Sequence, residues 1–478
     1  MEVAVRLDRT GGLAGQIYRQ LRDAVLDGRL RPGEALPSSR ELAEQIEVSR
    51  NTVTTAYERL VAEGYLTGRA GSGTFVNALS LAEPAVPPPP PGPLTPRAVW
   101  PSIPVPPYFG DAPEFDFRVG APDARLFPYA AWRRLLTNQL RPSAVGTGMP
   151  VEPAGHAGLR ALVGRHLRVA RTIEADPQDV LVTCGVQQAL DLIGRVLLEP
   201  GATAAVEEPG YPPPRRVWES QGVRVTGVPV DEQGLIVDAL PADARLVYVT
   251  PSHQYPTGVA LSLRRRIELL AWAQRHDAAI VEDDYDSEFR YTEQQLEPLH
   301  SLDRGGRVLY VGSFSKVLLP TLRLGFLLHP PSLRHALHAA KYVTDWHTSL
   351  PIQAAMADFM QQGMFARHLR RVRRVYRQRH EGIAAALAGP LSAHLAAVPS
   401  AAGLHMSALV RGATTAETLV RARAAGVGIS SFSEIAVAAA DPPGIVFGYG
   451  MIGADRIDEG LARLHRCLDT DDGHQPRT

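Results

Sequence analysis

Between residues 78 and 112 the chain changes character. Pro87 to Pro91 is an unbroken proline run, and Pro93, Pro96, Pro101, Pro104, Pro106 and Pro107 follow. Proline has a fixed φ and no backbone N–H, so such a stretch stays extended and semi-rigid and does not join a packed element. A chain of 478 residues is also too long for one ordinary domain. The expected organisation is a small head over residues 1–77, a linker over 78–112 and a large body over 113–478.

The head has helical spacing in its first part. From Gln16 to Leu26 apolar residues recur at Ile17, Leu21 and Val25, and Gly28 ends the pattern. Ser38 or Ser39 can cap a second helix carrying Leu42 and Ile46, and Ser49 can cap a third with Val53, Ala56, Tyr57, Leu60 and Val61 on one face. Gly64-Tyr65-Leu66 and Gly73-Thr74-Phe75-Val76 read as two short strands, joined by a turn over residues 69–73. Three helices and a hairpin make a winged helix-turn-helix.

The body alternates short apolar runs with helical stretches. The runs are Val180–Thr183, Thr203–Val206, Leu246–Val249, Ala279–Val281 and Val308–Val311. This is the text of an α/β domain whose mostly parallel sheet is covered on both faces. A hydrophobic content of 45% is enough for such cores.

Bulk properties exclude some classes. Lys+Arg and Asp+Glu both total 50, so net charge names no nucleic-acid partner, and any such partner has to be argued locally. The N-terminus lacks the apolar core of a signal peptide, and no stretch is apolar and long enough to cross a bilayer. The two cysteines, Cys184 and Cys467, are far apart and form no metal or redox motif. A reducing cytoplasm and no metal site are expected.

The third helix begins Ser49-Arg50-Asn51-Thr52-Val53-Thr54-Thr55, with one cation and no acid as far as Tyr57. Small polar and basic groups at a helix start suit a major groove, where arginine pairs bidentately with guanine. Ser49, Arg50, Asn51, Thr52 and Thr54 are therefore candidates for contact with double-stranded DNA. Arg40 is a candidate for the backbone, and Gly71 for close approach by the wing.

Lysine occurs only at Lys316 and Lys341; arginine supplies every other fixed cation. Lys316 lies in Ser313-Phe314-Ser315-Lys316, after an apolar strand, with Arg323 seven residues on. A Schiff-base lysine needs its amine aimed at an aldehyde, and Ser313, Ser315 and Arg323 can hold a phosphate beside it. Glu282-Asp283-Asp284-Tyr285 closes another strand: Asp283 can keep a pyridine nitrogen protonated, and Tyr285 can meet a phenolic oxygen. In Thr183-Cys184-Gly185-Val186-Gln187 a strand passes into a helix whose first N–H groups suit an anion, which makes Gly185, Val186 and Gln187 candidates. Tyr211, in a loop, can stack on a pyridine ring. The combination points to pyridoxal phosphate.

Leu36-Pro37-Ser38-Ser39-Arg40-Glu41-Leu42-Ala43, Ser49 to Val53, Leu60-x-x-x-Gly64-Tyr65-Leu66 and Gly71 to Val76 resemble the GntR-type winged helix. The Lys316 and Asp283 motifs resemble fold-type-I, aminotransferase-like pyridoxal phosphate enzymes. Gly120-x-Pro122-Asp123-x-x-Leu126-Phe127-Pro128, residues 250–258 and Gly403-Leu404-His405 fit the same pattern. The whole chain is similar to the MocR subfamily of bacterial regulators. That resemblance implies a cofactor bound covalently at Lys316, Asp283 at its ring nitrogen, Ser313, Ser315 and Arg323 at its phosphate, and a homodimer. It also implies a domain used for sensing rather than turnover.

One departure matters. Aminotransferases hold a substrate carboxylate with an arginine near the C-terminal strand, and here none lies between Arg423 and Arg456. This favours a regulator that senses pyridoxal phosphate itself and controls vitamin B6 genes. The alternatives are a regulator answering to an amino acid or amine, with Arg118 as a substitute cation, and a working aminotransferase with a DNA-binding appendage.

Overall fold

The computed structural model describes residues 5, 7–8, 11–69, 73–77, 94–105, 112–145, 152–291, 296–400, 402–434 and 443–469. The chain divides into two compact units, Met1–Thr95 and Pro96–Thr478. Pro87–Pro91 lies outside the described residues. The stretch expected to be wholly extended contains one helical turn, Val99–Ser102.

In the smaller unit, helix α1 (Leu13–Leu26) buries Ile17, Tyr18, Leu21, Ala24 and Val25, the face set by the apolar spacing. It starts three residues before Gln16. Strand β1 (Ala35–Leu36) follows. Helix α2 (Ser39–Gln45) is closed by a reciprocal cap: Ser38 Oγ accepts from Glu41 N, and the Glu41 carboxylate accepts from Ser38 N. Those bonds hold the Glu41 carboxyl below its usual range. Helix α3 (Arg50–Ala62) is capped by Ser49, whose Oγ accepts from Thr52 N at 3.2 Å. Such a cap contributes about 1 kcal/mol.

Strands β2 (Leu66–Arg69) and β3 (Gly73–Val76) form the antiparallel wing, and β1 pairs with the other edge of β3. The first wing strand starts later than residues 64–66 suggested, because Gly64 turns the chain at φ 80°. The β1 strand was not foreseen, since two residues carry no period. Gly71 lies outside the described residues.

In the larger unit, a short strand β4 (Phe115–Asp116) precedes the main sheet. That sheet contains β5 (Val180–Thr183), β6 (Thr203–Glu208), β7 (Arg224–Asp231), β8 (Gly234–Leu235), β9 (Ala244–Val249), β10 (Ala279–Asp284), β11 (Val308–Ser313) and β12 (Gly325–Leu328). Its order is β5-β12-β11-β10-β9-β6-β7-β8. The centre is parallel, and β12 runs antiparallel to both its neighbours. Alternate side chains feed two cores: Tyr248, Val281 and Val311 pack with Leu190 and Ile193 on one face. Val247, Ile280 and Val308 pack with Leu269 and Trp272 on the other. This is why these strands read as unbroken apolar runs.

The C-terminal part adds a four-stranded sheet of β13 (Leu395–Ala397), β14 (His405–Val410), β16 (Ser430–Ser431) and β17 (Gly444–Gly448), in the order β13-β14-β17-β16. Strand β15 (Val427–Gly428) pairs with β4. Among the described residues no helix is long and apolar enough to cross a membrane.

Candidate ligand site and DNA-binding surface

The C-terminal ends of the parallel strands open onto a cavity of about 270 Å³. Val186, Gln187, Tyr211, Asp283, Tyr285, Ser313, Ser315, Lys316 and Arg323 all line it. The fold therefore gathers residues spread over about 140 positions, and Gly185 stands directly behind Arg323.

One end is built for an anion. Gly185 has φ 77° and ψ 179°, a conformation that only glycine adopts readily, and it starts the helix Val186–Leu197 with no side-chain cap. Val186 and Gln187, the first residues of that helix, line the cavity at this end, and a helix start offers free N–H donors and a dipole that suit an anion. A Cβ on Gly185 would sit 3.3 Å from both terminal nitrogens of Arg323. Arg323 donates to Cys184 O at 2.8 Å, and Ser313 Oγ accepts from Ser315 N at 3.0 Å. Antiparallel β12 completes this end, since a Cβ on Gly325 would lie 3.1 Å from the Gly185 Cα.

The middle holds the acid and the amine. Asp283, at the end of β10, accepts from Tyr248 OH on Oδ2 at 2.6 Å, while its buried Oδ1 has no hydrogen-bond partner among the described residues. Burial lifts this carboxyl to about 7; the Tyr248 bond opposes the rise and Asp284 adds to it. Leaving a buried oxygen unsatisfied is costly, which fits an oxygen kept for a ligand's N–H. Lys316 donates to Gly120 O at 2.8 Å. Burial pushes its amine below the ordinary lysine range, against the pull of Asp286 and Asp283. Tyr211 meets Tyr255 edge-to-face at 5.7 Å, and burial raises its hydroxyl to about 12.

Tyr285 lines the cavity, but its hydroxyl is engaged: it donates to His253 O at 2.9 Å and lies 3.1 Å from His253 Nδ1. His253 belongs to a buried group that the motifs did not reveal. Its Nδ1 lies 2.9 Å from Asp286 Oδ2, its Nε2 3.0 Å from Ser400 Oγ, and its ring 4.6 Å from that of His405. Donor atoms of His253, Asp286 and His405 fall within 4.8 Å of one another, although both His253 nitrogens already face protein partners. Tyr248 and His253 come from the end of β9 and Asp286 from the end of β10, more than 30 residues on, so their partnership is invisible to local spacing. Arg118 also lines the cavity and forks onto Asp116 at 2.8 and 2.7 Å.

In the smaller unit, Arg40, Ser49, Arg50 and Asn51 are exposed, and Thr52 and Thr54 are half-buried. Thr52 shares its hydroxyl with Ser49 at 2.7 Å, and Thr54 donates to Arg50 O, so both serve the helix start first. Arg40 pairs with Glu44 at 3.3 Å, an exposed contact worth little. Among the described residues Arg50 reaches only Ser39 Oγ, at 3.4 Å. Arg69, missed by the sequence reading, lies exposed on the wing with its guanidinium over Phe75 at 5.0 Å. Arg50→Ala is expected to weaken operator binding by about 1–3 kcal/mol, the worth of one bidentate base contact. Gel-shift titration at matched salt measures it, and unchanged affinity would remove Arg50 from the interface.

Residues 13–76 match the model for bacterial regulatory proteins of the gntR family, and residues 149–442 match aminotransferase class I and II. The chain is 36% identical over 468 residues to the probable rhizopine catabolism regulatory protein MocR of Rhizobium meliloti, covering 95% of this chain and 93% of that one. It is 33% identical to the pyridoxine biosynthesis transcriptional regulator PdxR of Corynebacterium glutamicum, covering 97% of this chain and 98% of that one. Among solved structures it resembles LysN, the alpha-aminoadipate aminotransferase of Thermus thermophilus, complexed with N-(5'-phosphopyridoxyl)-L-leucine. There the TM-score is 0.67 at 31% identity, over 74% of this chain and 91% of that one.

Proposed function

The chain belongs to the MocR-type branch of the gntR family of bacterial transcription regulators, and on that premise we propose that pyridoxal phosphate held at Lys316 sets its affinity for DNA, at operators of vitamin B6 genes. The observation that carries this reading is the Asp283 Oδ1 left without a partner among the described residues, in the same cavity as Lys316 and beside the Gly185 turn. The residues present fit pyridoxal phosphate group by group. Asp283 would hold the pyridine N–H, Arg323, Ser313, Ser315 and the helix start at Val186 would hold the phosphate, and Tyr211 would cover the ring.

When bound, the cofactor supplies an aldehyde that an amine attacks. Lys316 contributes the amine, and its burial favours the neutral, nucleophilic form. Asp283 holds a proton on the ligand's ring nitrogen. Arg323 balances phosphate charge and at the same time pins the Cys184 peptide. Tyr285 is fixed by His253, so reaching a phenolic oxygen requires sharing its hydroxyl.

The effector assignment follows from what the opposite wall offers. There β17 and its sequel contribute Gly448 and Gly450, with no arginine from Val427 to Asp455. A substrate carboxylate bound there would lack the forked donor that few groups replace. The similarity to a pyridoxine biosynthesis regulator supports the same conclusion. A second reading, response to an amino acid or amine, draws support from Arg118 on the cavity wall and from the similarity to MocR. Both readings place the protein in the cytoplasm as a homodimer, which would match a two-fold operator.

The test is a titration of operator binding by cofactor-free protein. Pyridoxal phosphate alone is expected to change the affinity about tenfold, ~1.4 kcal/mol of coupling. No change, combined with an amino acid shifting both spectrum and affinity of the loaded protein, would replace this reading with the second.

A further inference from the structure

The chain's other lysine does not line the cavity, yet hydrogen bonds connect it to the anion end. Lys341 is 0% exposed, on the helix Arg334–Asp345. Its Nζ donates to Gln188 Oε1 at 3.0 Å and to Asp345 Oδ1 at 2.5 Å. Gln188 Nε2 donates in turn to Asp345 Oδ2 at 2.8 Å, which closes a ring of three side chains. The same Gln188 Oε1 accepts from Cys184 N at 2.7 Å. Arg323 holds the carbonyl of that residue, so the Cys184 peptide is gripped at both ends, immediately before the Gly185 turn.

We propose that Lys341 is a positioning residue for the phosphate end of the cavity, where its ammonium cancels the charge of Asp345 and fixes the Cys184–Gly185 turn through Gln188. The inference rests on the cavity being a pyridoxal phosphate site.

Three arguments support it. First, Asp345 is a carboxylate bonded directly to the first turn of the helix whose start receives the anion. With no counter-charge it opposes a phosphate across a partly buried path, where such effects reach a kcal/mol or more. Second, Gln188 Oε1 already takes a backbone N–H, and what remains is one lone pair in a buried space. A compact ammonium fits there, whereas a planar guanidinium fork does not. This accounts for a lysine in a chain that otherwise uses arginine. Third, the helix stops abruptly after Asp345: Trp346 takes φ 63°, a conformation rarely adopted by a bulky side chain. The backbone accepts that strain in the turn that sets the Asp345 carboxylate against Gln188.

A purely structural lysine would affect every ligand of the cavity alike. A lysine acting on the phosphate end affects only ligands that carry a phosphate. The experiment compares pyridoxal phosphate with pyridoxal, which lacks it, by visible-absorbance titration of the full chain. Lys341→Met should weaken pyridoxal phosphate about tenfold, from the uncompensated charge of Asp345. Pyridoxal should stay within about twofold of the wild type, and adding Asp345→Asn to the same protein should restore most of the loss. Asp345→Asn alone keeps the buried ammonium and should bind pyridoxal phosphate more tightly, with pyridoxal unchanged; it serves as the readout if Lys341→Met does not fold.

An equal loss for both ligands, or an unaltered preference between them in these variants, overturns the proposal. Failure of the wild type itself to bind pyridoxal phosphate overturns the reading of the cavity instead, so the two failures are distinct.

Discussion

Lys316→Ala is expected to abolish the visible absorbance that purified wild-type protein acquires with pyridoxal phosphate, and borohydride treatment of the wild type should leave the label on Lys316. The contrast between the two lysines makes this a large effect. Lys316 lines the cavity, and among the described residues its amine is bound only by a carbonyl, that of Gly120. Burial favours its neutral form, the state able to attack an aldehyde. Lys341 is fully buried and committed to Gln188 and Asp345, so it is no substitute. Peptide mapping of the reduced protein checks the assignment. A label on Lys341, or a variant that keeps the band, sinks it.

Asp283→Asn should produce two opposite effects. Affinity for pyridoxal phosphate should fall by about 1.5–3 kcal/mol, the worth of a hydrogen bond to a charged group. The cofactor-free variant should nevertheless be more stable than the wild type at pH 8. The folded carboxyl sits at about 7 because burial penalises its charge, whereas the unfolded one titrates in the ordinary range near 3.8. The folded state thus holds the proton more tightly. Wild-type stability falls as pH rises from about 4 to about 7, and the deficit is complete above that window. An amide removes this penalty, on the order of a few kcal/mol, and the gain should vanish near pH 4, where the folded wild type carries the proton and pays no charge penalty. Thermal unfolding of the cofactor-free proteins at pH 5 and pH 8 measures it. A variant less stable than wild type at pH 8 would show that the Asp283 charge is already compensated. An unsatisfied buried acid is tolerated where ligand binding needs it.

How far the sequence was legible depended on whether a signal was local. The caps at Ser38 and Ser49 and the apolar face of α3 are local, and they set the helices where the residues predicted, except that Val61, expected on that face, is exposed in the last turn of α3. The same holds for β5, β6, β9, β10 and β11, whose apolar runs are long enough to stand out. Strand β12 escaped notice because Gly325 to Leu328 follows the Lys316 loop directly and reads as its continuation. Nothing in those four residues says that they insert antiparallel between β5 and β11. Strand β7 was missed for a different reason: its half-exposed residues give no continuous apolar run.

Within the site, Lys316, Asp283 and Arg323 carry signatures of residue type and spacing. Tyr248, His253 and Gln188 do not, since a tyrosine inside an apolar run looks like core until Asp283 is placed beside it. The His253–Asp286 pair is separated by 33 residues, and only the parallel order of β9 and β10 joins its ends. His405 arrives from the C-terminal sheet.

The end of β10 puts four carboxylates into five residues, and the pleat sorts them. Asp283 faces the cavity. Glu282 accepts from Leu299 N and His300 N at 2.9 and 2.7 Å, and Asp284 takes the Arg171 guanidinium at 2.8 Å. Asp286 lies beyond the strand, against His253. Because side chains alternate strictly along a strand, adding or deleting one residue there exchanges the two faces. A deletion would turn toward the cavity the carboxylate meant for Arg171 and leave the arginine facing Tyr285, whereas an insertion would turn Glu282 there and take the acceptor from Leu299 N and His300 N. Point substitutions in this segment can retune the ligand site one group at a time, but a change of length cannot. In this lineage of the fold, the distance from Ala279 to Tyr285 is therefore expected to be invariant even where the residues between them are not.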